Sequence, residues 1–171
     1  MSELLTVDDF ETTGQTEEEE MDEVGSLNHS AIQANLAFLF KRLGTYSVFT
    51  ELSLDVSNAD LSVFDLSVRS ELKVDVCLYA RRPINPVKDI LKMKEMPLLA
   101  VEIVSPRQGL YEITEKFKLY FALGVKACWL VIPNTQTVTV YADMDNFHTF
   151  VSDEVVDAVL EIHLPFTPIF E

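Results

Sequence analysis

The run Leu98-Leu99-Ala100-Val101-Glu102-Ile103-Val104 constrains the fold more than any other part of the chain. Six of its seven residues are aliphatic, and both faces of a two-residue alternation are apolar. That is the pattern of a central strand covered on both sides. Glu102 stands inside it. An ionised carboxylate cannot be buried there unpaired, because its desolvation costs far more than one residue's packing returns. Either a cation neutralises Glu102, or it lies where the strand opens into a site. The turn formers Ser105-Pro106-Arg107-Gln108-Gly109 follow, so the strand is expected to end just after Glu102. In sheets flanked by helices, ligands bind at the carboxyl ends of strands. A carboxylate at that place suggests a metal ligand; the alternative is a strand-end Glu that is simply solvated.

The rest of the chain is that of one globular domain. Its 171 residues are enough to bury a core without disulfides or metal staples. A hydrophobic share of 48% and a charged share of 24% are ordinary. No apolar stretch approaches the roughly 18 residues that span a bilayer, and Met1-Ser2-Glu3-Leu4-Leu5 lacks the basic then apolar order of a signal peptide. Cys77 and Cys128 sit in apolar segments with no CxxC partner, as buried, reduced thiols of a cytoplasmic protein do.

The net charge of −15 is unevenly spread. Residues 1–23 hold ten acids and no Lys or Arg, leaving about −5 on the other 148 residues. The block Glu17–Glu20 repels itself, so residues 1–24 are expected to form an acidic, flexible segment ahead of a single domain over 25–171. Such a balance argues against strong non-specific nucleic-acid binding, which depends on Lys and Arg neutralising phosphates.

Periodicity predicts the elements. Ile32, Leu36, Leu39, Phe40 and Leu43 recur at helical spacing, with Ser26 or Asn28 as cap and Gly44 as terminator. Residues 46–54 and 73–80 are strand-like. Residues 57–70 mix short strand signals with turns, and residues 83–97, with three prolines, form a connection with a helical turn around 87–93. Strand 98–104, a helix over about 111–123, Gly124 and the apolar run 127–132 make a βαβ unit, whose strands must be parallel. Residues 137–141 alternate as an antiparallel partner, 147–151 is a further strand, and 155–164 is a strand or a short helix. The fold class is α/β (α+β), a mixed sheet with a parallel centre and helices on its faces.

Asp75 is the second acid in an otherwise apolar strand, Val74-Asp75-Val76-Cys77-Leu78-Tyr79. Alone it could be an edge-strand acid facing water. If adjacent strands bring it close to Glu102, a cation or a shared proton must relieve the repulsion. Carboxylate oxygens, with the backbone carbonyl of Ile103 as a further donor, are the ligands that Mg²⁺ takes. Lys116 and Lys118 lie on the following helix. Two residues apart, they face different ways. Lys116 is one turn from Ile113 and Tyr120 and is expected to reach the strand ends, while Lys118 points to solvent.

These residues carry a resemblance. Val101-Glu102-Ile103-Val104-Ser105-Pro106, Glu115-Lys116-Phe117-Lys118-Leu119-Tyr120, Gly124-Val125 and Trp129-Leu130-Val131-Ile132-Pro133 resemble the Uma-type, restriction-endonuclease-like family of the PD-(D/E)XK nuclease superfamily. The likeness is dense from about residue 72 to 141 and thin before. It implies a restriction-endonuclease-like sheet, metal-ligand roles for Asp75 and Glu102, and the catalytic-lysine role for Lys116. The superfamily's usual lysine position, two residues after the second acid, is here Val104. His29 matches a histidine often found at the start of the family's first helix, though a helix-start His near solvent is the plainer reading and the one taken. Val74 replaces the family's proline, and its amino-terminal strand pair is hard to find before Leu27.

The resemblance implies Mg²⁺- or Mn²⁺-dependent hydrolysis of DNA phosphodiesters. Enzymes that cut duplexes often act as homodimers, which makes a second copy the other candidate partner. The acidic balance supports the rival reading, a catalytically silent descendant used for protein binding or assembly.

Overall fold

A computed structural model describes residues 25–68 and 70–171. Residues 1–24, the expected acidic segment and the stretch in which the family's amino-terminal strand pair is hard to find, lie outside the described residues. Helix α1 spans Leu27–Leu43. Ser26 caps it by accepting from the His29 N–H at 3.3 Å, and Gly44 ends it at φ 70, a left-handed conformation that costs glycine no Cβ clash. Strands β1 (Tyr46–Asp55) and β2 (Glu71–Ala80) form a long antiparallel pair. Strand β3 (Leu99–Ile103), helix α2 (Leu110–Ala122) and strand β4 (Ala127–Ile132) are the predicted βαβ unit, with β3 and β4 parallel. Strands β5 (Thr137–Tyr141) and β6 (Phe147–Phe150) complete a six-stranded sheet in sequence order. The sheet is mostly antiparallel, and its one parallel pair sits at the centre.

The two faces bury separate clusters. On one, Ile32, Leu36, Leu39 and Phe40 of α1 pack on Val76, Leu78, Leu99, Val101 and Trp129. On the other, Ile113, Phe117, Leu119 and Tyr120 of α2 pack on Cys77, Ala100 and Cys128. All five residues of β3 are buried, which is why it reads as an unbroken apolar run. Cys77 and Cys128 are free and buried, and burial pushes the Cys77 thiol up to about 12.

Two segments differ from the periodicity. Residues 155–164 make neither one strand nor a helix: β7 (Glu154–Asp157) and β8 (Ile162–Pro165) form a separate hairpin on the α1 side. An Asp157 turn, with its carboxylate accepting from the Val159 and Leu160 N–H groups, reverses the chain there. The helical turn expected around 87–93 is not formed. Instead Met93 pairs alongside β1, donating to Ser53 O and accepting from the Asp55 N–H, both at 2.8 Å. A vacant strand edge outcompetes one isolated helical turn, which gains few hydrogen bonds for the residues it orders.

Candidate functional site

Glu102 is the penultimate residue of β3 and is 2% exposed. The alternation along β3 turns it to the α2 side, between Val101 and Ile103, which face α1. Helix α2 meets it with two residues one turn apart. The Tyr120 hydroxyl donates to Oε1 at 2.7 Å, and the Lys116 Nζ lies 3.3 Å from Oε2. Burial pushes the Glu102 carboxyl up to about 7, opposed chiefly by the Lys116 ammonium. The same pair acts on the lysine: the Glu102 charge raises Lys116 above its ordinary value, so it stays an ammonium. Burial holds the Tyr120 hydroxyl well above the tyrosine range, so it stays a donor. Lys118 points outward and pairs with Glu115 on its own helix, as its spacing from Lys116 predicts.

Asp75 sits on β2, beside β3. The β2–β3 ladder pairs Val76 with Val101 and continues no further toward Asp75 and Glu102. The Ile103 N–H is therefore free of β2's backbone, and it donates instead to Asp75 Oδ2 at 2.6 Å. That same oxygen lies 3.2 Å from His29 Nε2, on the first turn of α1. His29 is 9% exposed, so the solvent-facing reading is corrected: its position on the inward stripe with Ile32 and Leu36 buries it. The hydrogen bond to Asp75 is the largest cause raising the His29 pKa above its ordinary value.

Both carboxylates, with His29 and Lys116, line one cavity of about 720 Å³ where the strand ends splay between the two helices. Ile103 bonds Asp75 through its N–H, and Asp75 and Glu102 bring carboxylate oxygens to the cavity wall. Among the described residues, no three His, Cys, Asp or Glu side chains converge into a ready cage for a metal.

Three further residues belong to the site, and sequence reasoning does not single them out as such. Tyr120 falls in the predicted core stripe; its four-residue spacing from Lys116 signals that both reach the same acid. Gln33 follows His29 at the same spacing and bonds the Asp75 carbonyl at 2.9 Å. Glu51 lines the cavity from β1 with a left-handed φ of 54, which no sequence pattern announces.

A family model described as "Uma2: Putative restriction endonuclease" matches residues 13–165. No curated protein matches significantly. Among solved structures, one described as a putative nuclease belonging to DUF820, from Anabaena variabilis, superposes with a TM-score of 0.64 at 22% identity. The match covers 85% of this chain and 81% of that one. At that identity the likeness establishes a shared fold. The chain belongs to the Uma2 family, and the membership supports a nuclease-like function.

Proposed function

We propose that this Uma2-family chain is a divalent-metal-dependent endonuclease that hydrolyses DNA phosphodiesters, with Asp75, Glu102 and Lys116 as its working residues. The observation that carries the reading is Glu102: a carboxylate 2% exposed, raised to about 7 by burial, at the wall of an open cavity. An anion so costly to desolvate favours an added cation. The donors are hard oxygens: each Glu102 oxygen has one partner and so keeps a lone pair, and Asp75 takes both its contacts on Oδ2, leaving Oδ1. Such a set suits Mg²⁺ or Mn²⁺ over a softer ion. Asp75, Glu102 and the Ile103 carbonyl would hold it. When bound, such an ion supplies Lewis-acid polarisation of a phosphate oxygen.

The chain's own residues do the remaining work. Lys116 is kept protonated by Glu102, so it serves as a positive donor and not as a general base. Its ammonium orients the attacking water and stabilises charge that develops on the phosphoryl oxygens. Tyr120 holds one oxygen of Glu102 in place while Lys116 holds the other. His29 and the Ile103 N–H fix Asp75 in the same way. The bond from water oxygen to phosphorus forms as the bond to the sugar oxygen breaks; the water gives up a proton and the leaving oxygen gains one. Positioning and electrostatics carry such a reaction without a covalent intermediate.

The test is plasmid cleavage by the purified chain with Mg²⁺, with chelator, and as Lys116→Ala. Cleavage that chelator and the substitution both abolish is the expected result. The net charge of −15 favours a second reading, a silent nuclease fold that binds proteins. Absence of cleavage with Mg²⁺ or Mn²⁺ on plasmid and linear duplex would select that reading.

A further inference from the structure

We infer that Gln33 on α1 is a positioning residue that locks a break in the β1–β2 ladder and so aims Asp75 at the cavity. The inference rests on Asp75 acting as a ligand in the reading above. The ladder pairs Thr50 with Val76 and Leu52 with Val74, and leaves Glu51 and Asp75 unpaired between them. Face alternation slips at the same point on both strands. Val74 and Cys77, three apart, pack in one cluster, as do Phe49 and Leu52. Glu51 has φ 54, a conformation that costs a residue with a Cβ and persists only when its surroundings enforce it. Irregularities of this kind re-aim a side chain next to a site.

What enforces the break comes from the helix. A ladder break strands backbone groups that need partners. The Gln33 Nε2 donates to the Asp75 carbonyl at 2.9 Å and also to Glu51 Oε1, so one amide group grips both residues of the broken pair. His29, one turn earlier, contacts the Asp75 carboxylate. The backbone and the side chain of Asp75 are thus both held from α1. With the carbonyl fixed, the side chain has the direction that brings Oδ2 to the Ile103 N–H. Without Gln33, the carbonyl is free to turn back toward the β1 ladder, and Oδ2 leaves that N–H.

A residue that only fastens α1 to the sheet would act differently, and the full-length Gln33→Met variant separates the two. Methionine keeps the length and loses the donor. Helix α1 retains Ile32, Leu36, Leu39 and Phe40 in the core, so the denaturant midpoint is expected to stay close to wild type. Amide exchange at Ile103, followed by NMR against Val101 as reference, is expected to speed up about tenfold. Mg²⁺ affinity, titrated calorimetrically without nucleic acid, is expected to fall about 10–100-fold, the usual loss when a ligand's supporting partner is removed. Gln33→Leu repeats the measurement should methionine repack the helix. Unchanged Ile103 exchange in both variants overturns the inference. So does faster exchange with unaltered Mg²⁺ affinity in a chain that binds the ion. If the wild type takes up no Mg²⁺ yet Ile103 loses protection in the variants, the positioning stands and the metal reading falls.

Discussion

Two buried carboxylates, Asp157 and Glu102, show how differently one chemical group is handled in the same domain. Asp157 is 0% exposed and fully engaged: Oδ2 accepts from the Trp129 indole at 2.9 Å, and Oδ1 accepts from the Val159 and Leu160 N–H groups at 2.9 and 3.0 Å. Its donors are neutral, fixed by the backbone or a core ring, and it does not line the cavity that Glu102 lines. Glu102 is nearly as buried, but its partners are a tyrosine hydroxyl and a lysine ammonium on a helix, and it lines an open space. Asp157 is satisfied by the fold and ties the β7–β8 hairpin to β4. Glu102 is left with charge to share. Burial alone does not separate structural from functional acids; what their remaining lone pairs face does.

Removing the partner of the unfinished acid should produce the largest effect. In Lys116→Ala the expected outcome is loss of cleavage together with about 3 kcal/mol of stability, the low end for breaking a buried pair because the cavity admits water. Chemical denaturation with and without Mg²⁺ checks this, since an ion bound only by the folded state restores much of the loss. No loss of stability without metal, or none regained with it, would place Glu102 in the same class as Asp157.

Next in size is Asp157→Asn. An amide nitrogen must replace one accepting oxygen and then faces a donor, so a cost of about 1–3 kcal/mol is expected, with per-molecule cleavage unchanged. A thermal melt and a cleavage assay on the folded fraction decide it. The mirror variant Glu102→Gln should reverse the pattern, with cleavage reduced at least about 10²-fold and stability near wild type.

The pH dependence sharpens the contrast further. Glu102 is raised from 4.5 to about 7, so below pH 4.5 the carboxyl is protonated in both folded and unfolded chains and its stabilisation is fully present. As pH rises through about 7 the folded state must give up a proton it held more tightly, and that contribution is lost. The loss is at most about 1.4 kcal/mol for each pH unit crossed between those two values. Metal-free unfolding curves between pH 4.5 and 8 should slope downward in wild type and flatten in Glu102→Gln. Equal slopes would mean that Glu102 is not the group responsible. The smallest effect on the site belongs to Lys118→Ala. Its half-exposed ammonium pairs with Glu115, a buried acid that also accepts from the Asp65 N–H and lies away from Glu102, so cleavage and metal-dependent stability should stay at wild-type levels.

Local pattern carried much of this fold. The 3.6-residue stripe from Ile32 to Phe40 and the unbroken apolar runs of β3 and β4 are signals set by burial on one or two faces, and both helices begin and end within a residue or so of expectation. Residues 87–93 and 155–164 were not legible in the same way. Whether Met93 extends beside β1, or Asp157 reverses a hairpin, depends on an edge and on donors supplied by distant segments. At the site, Glu102 was visible as a polar residue in a buried strand, and Lys116 as the lysine on the inward stripe. His29 was misplaced because a helix-start residue is solvated by default, and here α1 turns that position onto Asp75.

The sequence by itself determined both helices, the strands from β1 to β6, the parallel β3–β4 pair, and which acids lay in apolar strands, because periodicity and desolvation cost act over neighbouring residues. Only the tertiary structure decided that His29 and Gln33 of one helix grip Asp75, that Lys116 and Tyr120 of the other grip Glu102, and that the ladder breaks at Glu51 between them. Hydrogen bonds reach about 3 Å, so partners distant in sequence meet only once helices and sheet have packed.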